Sequence, residues 1–293
     1  MFKKVTIIGT GLLGGSLAKD LRQKRLATQI VGVCRSEATA QEAIDSGIVD
    51  AVQSLREGCL DAELIVLATP MQAMLPILEE IAKGIDENTI LTDVGSVKTD
   101  LYSRVKQEVP SLLDKFVFAH PIAGGENSGV AASKLGLFND KHVIITDTEE
   151  VSSLLSGRIA LMWQELGARV LHMSLQEHDA IFAKTSHLPH VIAFSLVNFL
   201  NEQQDRERLF DMAAAGFYDF TRIASSDAEM WRDICITNRD EVLEALKGFR
   251  SQIDKISDDV ANMDQTAILN YFGNAKAARD QGLLKKAEVM AKT

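Results

Sequence analysis

The sequence predicts an α/β fold in which a Rossmann-type parallel sheet domain is followed by a C-terminal all-α domain. Short β-branched runs alternate with helically spaced apolar residues in the first half, and no strand-like run follows about residue 173. Runs that are apolar on both faces and separated by helices are typical of a parallel sheet covered on both sides. We therefore predict a sheet domain over residues 1–172 and a helical domain over residues 173–293.

Seven apolar runs are predicted as strands because they are short, rich in β-branched residues and bounded by polar or glycine-containing segments. Segments with helical spacing lie between most of them, for example the one that carries Leu13, Leu17 and Leu21. The predicted strands are Val5–Ile8, Ile30–Val33, Leu64–Leu67, Thr89–Thr92, Phe116–Phe118, His142–Ile145 and Arg169–Leu171.

The composition restricts the partners and the compartment. The 293 residues include 31 Lys plus Arg and 41 Asp plus Glu, which gives a net charge of −10. Such a surface repels phosphate backbones and anionic lipid, so neither nucleic acid nor a membrane is predicted as a partner. No stretch is expected to reach the ~20 apolar residues of a spanning helix. Three widely spaced cysteines fit a reducing compartment, and we predict a cytoplasmic protein.

A glycine-rich segment, Gly-Thr-Gly-Leu-Leu-Gly, follows the first predicted strand and opens a helix. Gly9 allows the tight turn, Gly11 lets a pyrophosphate approach the backbone, and Gly14 lets helix and strand pack closely. Leu12 and Leu13 then lie at the helix N-terminus, which faces the phosphates. The sequence therefore predicts that the first domain binds a dinucleotide.

The end of the second predicted strand indicates which dinucleotide is bound. A carboxylate about 20 residues beyond the glycines is typical of NAD sites, but this place holds Cys34, followed by Arg35 and Ser36. A guanidinium and a hydroxyl suit a 2′-phosphate, so NADP is favoured and NAD remains possible. In the alternative, Arg35 stacks on the adenine and accepts both. Thr69 and Pro70 follow the third predicted strand and are expected to line the cofactor crevice.

A histidine at the carboxyl end of a strand is the candidate catalytic group. His120 precedes a proline, which holds it extended, and is followed by Gly124–Gly125 and by the acid Glu126. Ser96 follows another strand and is expected near a nicotinamide. A lone histidine is more often structural, so both interpretations stay open on these residues alone.

The helical half contains further candidates. His187 and His190 have the spacing of a metal-binding pair, but no third ligand lies nearby, and no metal site is predicted. Arg222 and Trp231 lie in one short span. This span is either an anion-binding site or a solvated helix face.

One apolar stripe has a mean spacing of 3.5 residues, which is typical of a seam between paired helices. The stripe belongs either to a helix buried between subunits or to a helix in the core of its own subunit. Its residues are Val242, Leu246, Phe249, Ile253, Ile256, Val260 and Met263.

Six motifs, in order, resemble the prephenate/arogenate (cyclohexadienyl) dehydrogenases of tyrosine biosynthesis. They are GxGLLGGS at 9–16, TPxQ at 69–72, DVGSVK at 93–98, HPIAGGE at 120–126, HDxxxAxxSHLPH at 178–190 and FxDxTRIAxSDxxMW at 217–231. The resemblance implies an NAD(P)-dependent oxidative decarboxylation. Its substrate is prephenate, which gives 4-hydroxyphenylpyruvate, or arogenate, which gives tyrosine, or both. The preferred substrate stays open.

The resemblance also implies roles for the candidate residues. His120 would be the base at the C4 hydroxyl of a cyclohexadienyl substrate, with Ser96 holding the hydroxyl or the imidazole beside the nicotinamide. Arg222 would bind the carboxylate of the substrate side chain. His190, with His187 nearby, would face the ring carboxylate or shape the pocket.

Two further residues have less defined roles by this resemblance. Glu126 would gate the site or meet the substrate side chain. Trp231 would close the pocket of its own or of the partner subunit, because the helical domain of this family forms a homodimer.

Two rival functions are a β-hydroxyacid dehydrogenase of the 6-phosphogluconate type and a non-catalytic NADP-sensing module. Lys184 lies where the first would carry its catalytic lysine, but it lacks the expected glycines. The second does not explain the joint presence of His120, Ser96 and Arg222.

Overall fold

The computed structural model describes residues 1–125 and 127–291, and Glu126 lies outside the described residues. Its eight-stranded sheet has the order β3-β2-β1-β4-β5-β6-β7-β8. The strands are β1 Phe2–Ile8, β2 Ala27–Val33, β3 Ala51–Val52, β4 Leu64–Leu67, β5 Ile90–Asp93, β6 Phe116–Pro121, β7 His142–Thr146 and β8 Arg169–Met173.

All seven predicted strands are present, and the structure adds β3, which has only two residues. The sheet is parallel from β3 to β6, as predicted. β7 then runs antiparallel to β6, and β8 runs parallel to β7. The predicted α/β class is confirmed, but the sheet is mixed rather than wholly parallel.

The helices fall into two groups along the chain. Between the strands lie α1 Leu12–Gln23, α2 Glu37–Asp45, α3 Leu55–Cys59, α4 Met71–Ile81, α5 Thr99–Glu108 and α6 Ser153–Glu165. After β8 follow α7 Leu175–Phe182, α8 Leu188–Asn201, α9 Arg206–Asp211, α10 Ala215–Thr221, α11 Ala228–Thr237, α12 Arg239–Ala261 and α13 Gln265–Ala291. Short 3₁₀ turns lie at Pro110–Lys115 and Arg222–Ser225, and a π-helical turn joins α7 to α8 at Ala183–His187.

Helices cover both faces of the sheet. Successive residues of β4 point to opposite faces, and they divide between two apolar clusters: Leu64 and Val66 pack in one, Ile65 and Leu67 in the other. The sheet therefore has no solvated face at its centre, which explains why its strands are apolar throughout.

The chain divides into two compact units, Met1–Val242 and Leu243–Thr293. The second contains most of α12 and all of α13. Many of its large apolar side chains are exposed: Leu243, Ile253, Val260, Met263, Leu269, Phe272, Leu283 and Leu284.

One helical run departs from the expectation about apolar length. By length and composition, Leu175–Asn201 is long and apolar enough to cross a membrane, and only a small part of its most apolar stretch is buried. The expectation that no stretch approaches that length was therefore wrong. Because the core helix of a soluble protein can be equally long and apolar, the run is weak evidence for a membrane.

The glycine turn after β1 is sterically required. Gly9 has φ +96°, in the left-handed region. A Cβ on Gly14 would lie 2.0 Å from the carbonyl oxygen of Gly9, whereas a Cβ on Gly11 would meet nothing within 4 Å. Gly14 therefore sets the contact between α1 and the turn, while Gly11 leaves open space.

We expect Gly14→Ala to lower the free energy of unfolding by about 1–3 kcal/mol, the usual cost of overpacking. Urea denaturation without nucleotide measures this change. Gly11→Ala is the matched control and should unfold at nearly the wild-type urea concentration. Equal stability of the two variants would contradict the steric argument.

Candidate active site

Five of the predicted site positions follow strands that run in the same direction. Gly9 follows β1, Arg35 follows β2, Thr69 follows β4 and Ser96 follows β5, while His120 is near the end of β6. These strands are parallel neighbours, so their carboxyl ends lie along one edge of the sheet. This edge is where open α/β sheets bind ligands.

The start of α1 fits a pyrophosphate. Gly11 caps the helix without a side-chain hydrogen bond, and the first turn, from Leu12 onward, contains no acidic residue. The free N–H groups and the positive end of the helix dipole therefore favour an anion. The open space at Gly11 leaves room for a phosphate to approach the backbone.

The end of β2 carries the side chains expected to select the nucleotide. Arg35 is exposed there. The Ser36 hydroxyl accepts a hydrogen bond from the Thr39 amide at 3.2 Å and so caps α2. Cys34 Sγ lies 3.1 Å from Thr10 Oγ1. Arg35 is thus the cation that this strand end presents.

The loop after β4 offers a buried hydroxyl. Thr69 Oγ1 is buried and has no hydrogen-bond partner among the described residues. Pro70 follows it and caps α4. A buried hydroxyl without a partner is costly, so this position fits a polar group of the nucleotide.

A buried ion pair fixes the strand that carries the histidine. The ammonium of Lys98 bonds the Asp93 carboxylate, and both side chains are fully buried. Asp93 Oδ1 accepts from the N–H of Ala119 at 3.0 Å, and Lys98 donates to the carbonyl of Ala119 at 2.7 Å. The backbone ladder between β5 and β6 ends at Val117. The side chains of the ion pair therefore bond the N–H and the carbonyl of Ala119, which the backbone of β5 does not reach.

Three side chains form a hydrogen-bonded chain behind the site. His120 Nδ1 lies 2.8 Å from His178 Nε2, and His178 Nδ1 lies 2.8 Å from Asp179 Oδ1. Burial lowers the pKa of His120 well below its usual value, and the neighbouring His178, Lys98 and His187 lower it further. His120 is therefore a neutral imidazole at neutral pH, as a general base must be.

A second pair of histidines contacts Trp231. His190 stacks on its ring with centroids 3.7 Å apart, and His187 meets it edge-on at 6.1 Å. The Asn238 amide donates to the carbonyl of Asp179 at 3.0 Å and lies 3.2 Å from His187 Nδ1. Burial lowers the pKa of His187 to about 4. Both pairs of histidines thus belong to one buried network.

The remaining predicted residues are placed as follows. Ser96 is half-buried and lies between Asp93 and Lys98 in the sequence. Arg222 is exposed at the start of the 3₁₀ turn that packs against α8, the helix of His190. Glu126 lies outside the described residues. Within the described ranges, no group of three His, Cys, Asp or Glu side chains could hold a metal ion.

Sequence reasoning did not assign a role to five residues of this network. The sequence did contain hints of their roles. Four of them lie inside the motifs DVGSVK and HDxxxAxxSHLPH, and a carboxylate next to a histidine suggests a hydrogen-bonded pair. They are Asp93, Lys98, His178, Asp179 and Asn238.

A dinucleotide-type glycine turn and a half-buried, neutral histidine, at the carboxyl edge of one sheet, define the class of protein. This class is the nucleotide-dependent dehydrogenases.

Comparison with known families identifies the group within this class. The model described as "Prephenate dehydrogenase, nucleotide-binding domain" matches residues 17–172, and "Prephenate dehydrogenase, dimerization domain" matches residues 174–274. The chain belongs to the prephenate dehydrogenase family. The resemblance inferred from six motifs is thereby confirmed, and the chain is an oxidoreductase with an NAD(P)-binding domain.

Individual relatives agree with this assignment. Prephenate dehydrogenase of Bacillus subtilis is 35% identical over 94% of this chain and 75% of its own length. Cyclohexadienyl dehydrogenase of Zymomonas mobilis is 31% identical over 95% of this chain and 96% of its own. A crystal structure of prephenate dehydrogenase from A. aeolicus, in complex with hydroxyphenyl propionate and NAD+, superposes with a TM-score of 0.91. The two sequences are 33% identical, and the superposition covers 96% of this chain and 98% of the A. aeolicus chain.

The depressed pKa of His187 makes stability depend on pH. Between about pH 4 and the usual 6.5 the unfolded chain binds more protons at this imidazole than the folded chain does. Stability is therefore lost as pH falls through that window, by about 3 kcal/mol from this group. We expect His187→Asn to flatten this dependence, measured as urea midpoints at pH 7 and pH 4.5.

The exposed His172 provides the control for this measurement. His172→Asn should keep the wild-type loss of stability in acid. If His187→Asn kept it as well, burial of His187 would not be its cause.

Proposed function

We propose that this chain catalyses the NAD(P)-dependent oxidative decarboxylation of prephenate, arogenate or both. The observation that carries the proposal is the neutral His120 imidazole, held at the sheet edge where the nucleotide turn also lies. The named activities of the relatives support the same reaction.

His120 is the base in this proposal. It takes the proton of the C4 hydroxyl while the C4 hydrogen leaves as hydride, and the bound nicotinamide nucleotide supplies the hydride acceptor. The new C4 carbonyl is conjugated with the ring, so the C1–carboxylate bond breaks and CO₂ leaves. The electron pair of that bond makes the ring aromatic, and the C4 oxygen regains a proton from the His120 imidazolium.

The other predicted residues bind the substrate in this proposal. Arg222 binds the side-chain carboxylate, for which a guanidinium offers two parallel donors. Ser96 orients the C4 hydroxyl or the base beside the nicotinamide. Glu126 meets the substrate side chain or gates the site. Trp231 closes the pocket, in its own or the partner subunit.

His187 and His190 differ in what they present. The His190 Nδ1–H donates to the carbonyl of Ser186 at 2.9 Å, and burial lowers the pKa of His190. Its Nε2 therefore carries a lone pair, which would repel the ring carboxylate. His190 packs on Trp231 instead and shapes the pocket in this proposal. The Asn238 amide donates to Nδ1 of His187, so the His187 proton is on Nε2.

We propose NADP as the preferred cofactor, with NAD as the alternative. Arg35 is exposed at the end of β2, and no carboxylate takes the place that would bind the ribose hydroxyls. The glycine turn, Thr69, Pro70 and Ser96 surround the rest of the nucleotide in this proposal.

We propose the division into residues 1–172, which bind the nucleotide, and residues 173–293, which bind substrate and form a homodimer. The apolar run Leu175–Asn201, in which Ile181 and Phe199 are exposed, and the exposed apolar residues of α12 and α13 support the dimer. A second copy would cover such surfaces. A cytoplasmic location remains a prediction.

Replacing the base tests the reaction. We expect His120→Asn to lower kcat by about 10²-fold or more, the usual scale for loss of a general base, while the Kd for nucleotide stays within about twofold. Steady-state kinetics with prephenate and with arogenate, plus nucleotide titration, measure both. Arg222→Ala should instead raise substrate KM, since a binding group is removed. Near-normal turnover by His120→Asn would remove this residue from the mechanism.

Replacing the arginine tests cofactor choice. We expect Arg35→Ala to lower kcat/KM for NADP by roughly tenfold, the scale of one charge-assisted hydrogen bond, and to leave kcat/KM for NAD almost unchanged. Arg25→Ala, in the turn after α1, is the matched control. Equal losses with both nucleotides would favour stacking of Arg35 on the adenine.

A further inference from the structure

The carboxylate of Asp179 can only accept hydrogen bonds. Its Oδ1 accepts the amide of Lys98 at 3.0 Å, and its Oδ2 accepts the amide of Thr99 at 2.8 Å. Burial alone would raise the pKa of Asp179, but the hydrogen bonds from His178, Thr99 and the backbone outweigh it and lower the pKa. Asp179 is therefore ionised and fixed in place by the start of α5.

This carboxylate decides where the proton of His178 lies. A neutral imidazole has one N–H and one lone pair, and burial lowers the pKa of His178. Because Asp179 Oδ1 accepts from Nδ1 at 2.8 Å, the His178 proton is on Nδ1 and its Nε2 has the lone pair. The neighbouring nitrogen, His120 Nδ1 at 2.8 Å, must then be the donor.

The same reasoning fixes the state of His120. With its proton on Nδ1, the imidazole has its lone pair on Nε2. Within the described ranges, no protein group forms a hydrogen bond with this Nε2. Phe182 packs against both rings, with centroids 5.0 Å from His120 and 4.6 Å from His178.

We propose that His178 and Asp179 are positioning residues that fix the tautomer of His120, so that its Nε2 receives the substrate proton. The inference rests on the proposed role of His120 as the base. When Nε2 has taken the proton, the Nδ1–H of the imidazolium still donates to His178, and the negative charge of Asp179 stabilises the cation through that ring. No proton needs to move along the chain.

Asp179→Asn tests the tautomer directly. An amide in this place has one oxygen for the three donors that the carboxylate accepts, and it carries no negative charge. The His178 tautomer is then held less firmly, and the imidazolium of His120 loses the charge that stabilises it. We expect kcat to fall by about 10²-fold or more, with substrate KM and nucleotide Kd within about threefold of wild type.

His178 provides a removal and a rescue. His178→Phe keeps a ring but removes the acceptor, and it should lower kcat by at least about tenfold. His178→Gln supplies a carbonyl acceptor near the same place and should recover much of this loss. A merely structural role for His178 would give the opposite ranking, because Phe is the closer match in shape.

The pH profile gives a readout that a loss of packing would not change. The charged or titratable groups that face His120 are His178 from α7, Lys98 from the loop after β5 and His187 from the π-helical turn. Without the acceptor at His178, the imidazolium of His120 is less stable. The acid limb of kcat/KM should therefore move to lower pH in His178→Phe.

A second histidine–carboxylate pair is the matched control. His172 Nδ1 lies 2.8 Å from Asp147 Oδ1, but this pair is exposed and outside the network. Asp147→Asn should leave kcat and the acid limb at their wild-type values. If Asp179→Asn and His178→Phe behaved like this control while remaining folded, the positioning role would be wrong.

His120→Asn separates this failure from failure of the proposed function. Normal turnover by His120→Asn would remove the base itself, and the positioning role with it. Loss of turnover in His120→Asn, combined with wild-type kcat in Asp179→Asn and His178→Phe, would overturn only the positioning role. Adding Asp179→Asn to His120→Asn should cause no further loss, because residues that act through one another are not additive.

Discussion

The buried pair of Asp93 and Lys98 is the constraint on which the rest of the site depends. Both side chains are fully buried, and together they bond the N–H and the carbonyl of Ala119. A buried charge pair is costly unless it is completely hydrogen-bonded, and Gly95 adds a further donor at 2.8 Å. The position of His120 is therefore set by a charged contact between the end of β5, the loop after it and β6, rather than by the sheet ladder alone.

Burial makes the four histidines of the site uncharged. It lowers the pKa of His120, His178, His187 and His190, so each is neutral near pH 7. Four imidazoles then contribute lone pairs and N–H groups but no charge. An uncharged imidazole can accept a proton but cannot neutralise an anion.

The sequence predicted those features of the fold that depend on residues close together in the chain. The predicted strand Leu64–Leu67 has the bounds that the structure shows, because a strand buried on both faces is apolar throughout. The two-residue β3 has no such run, and the reversal of β7 depends on how the chain returns to the sheet after β6. The glycine turn and the place of His120 on a strand could be predicted because they depend on residues that are close in sequence. The contact between His120 and His178 spans 58 residues, and no local pattern reveals it.

The π-helical turn Ala183–His187 has a consequence for the geometry of the site. A π turn accommodates one additional residue within a helix, so the residues on either side are rotated relative to an uninterrupted helix. His178 precedes it and His190 follows it. His178 and His190 therefore face directions that an uninterrupted helix would not give them.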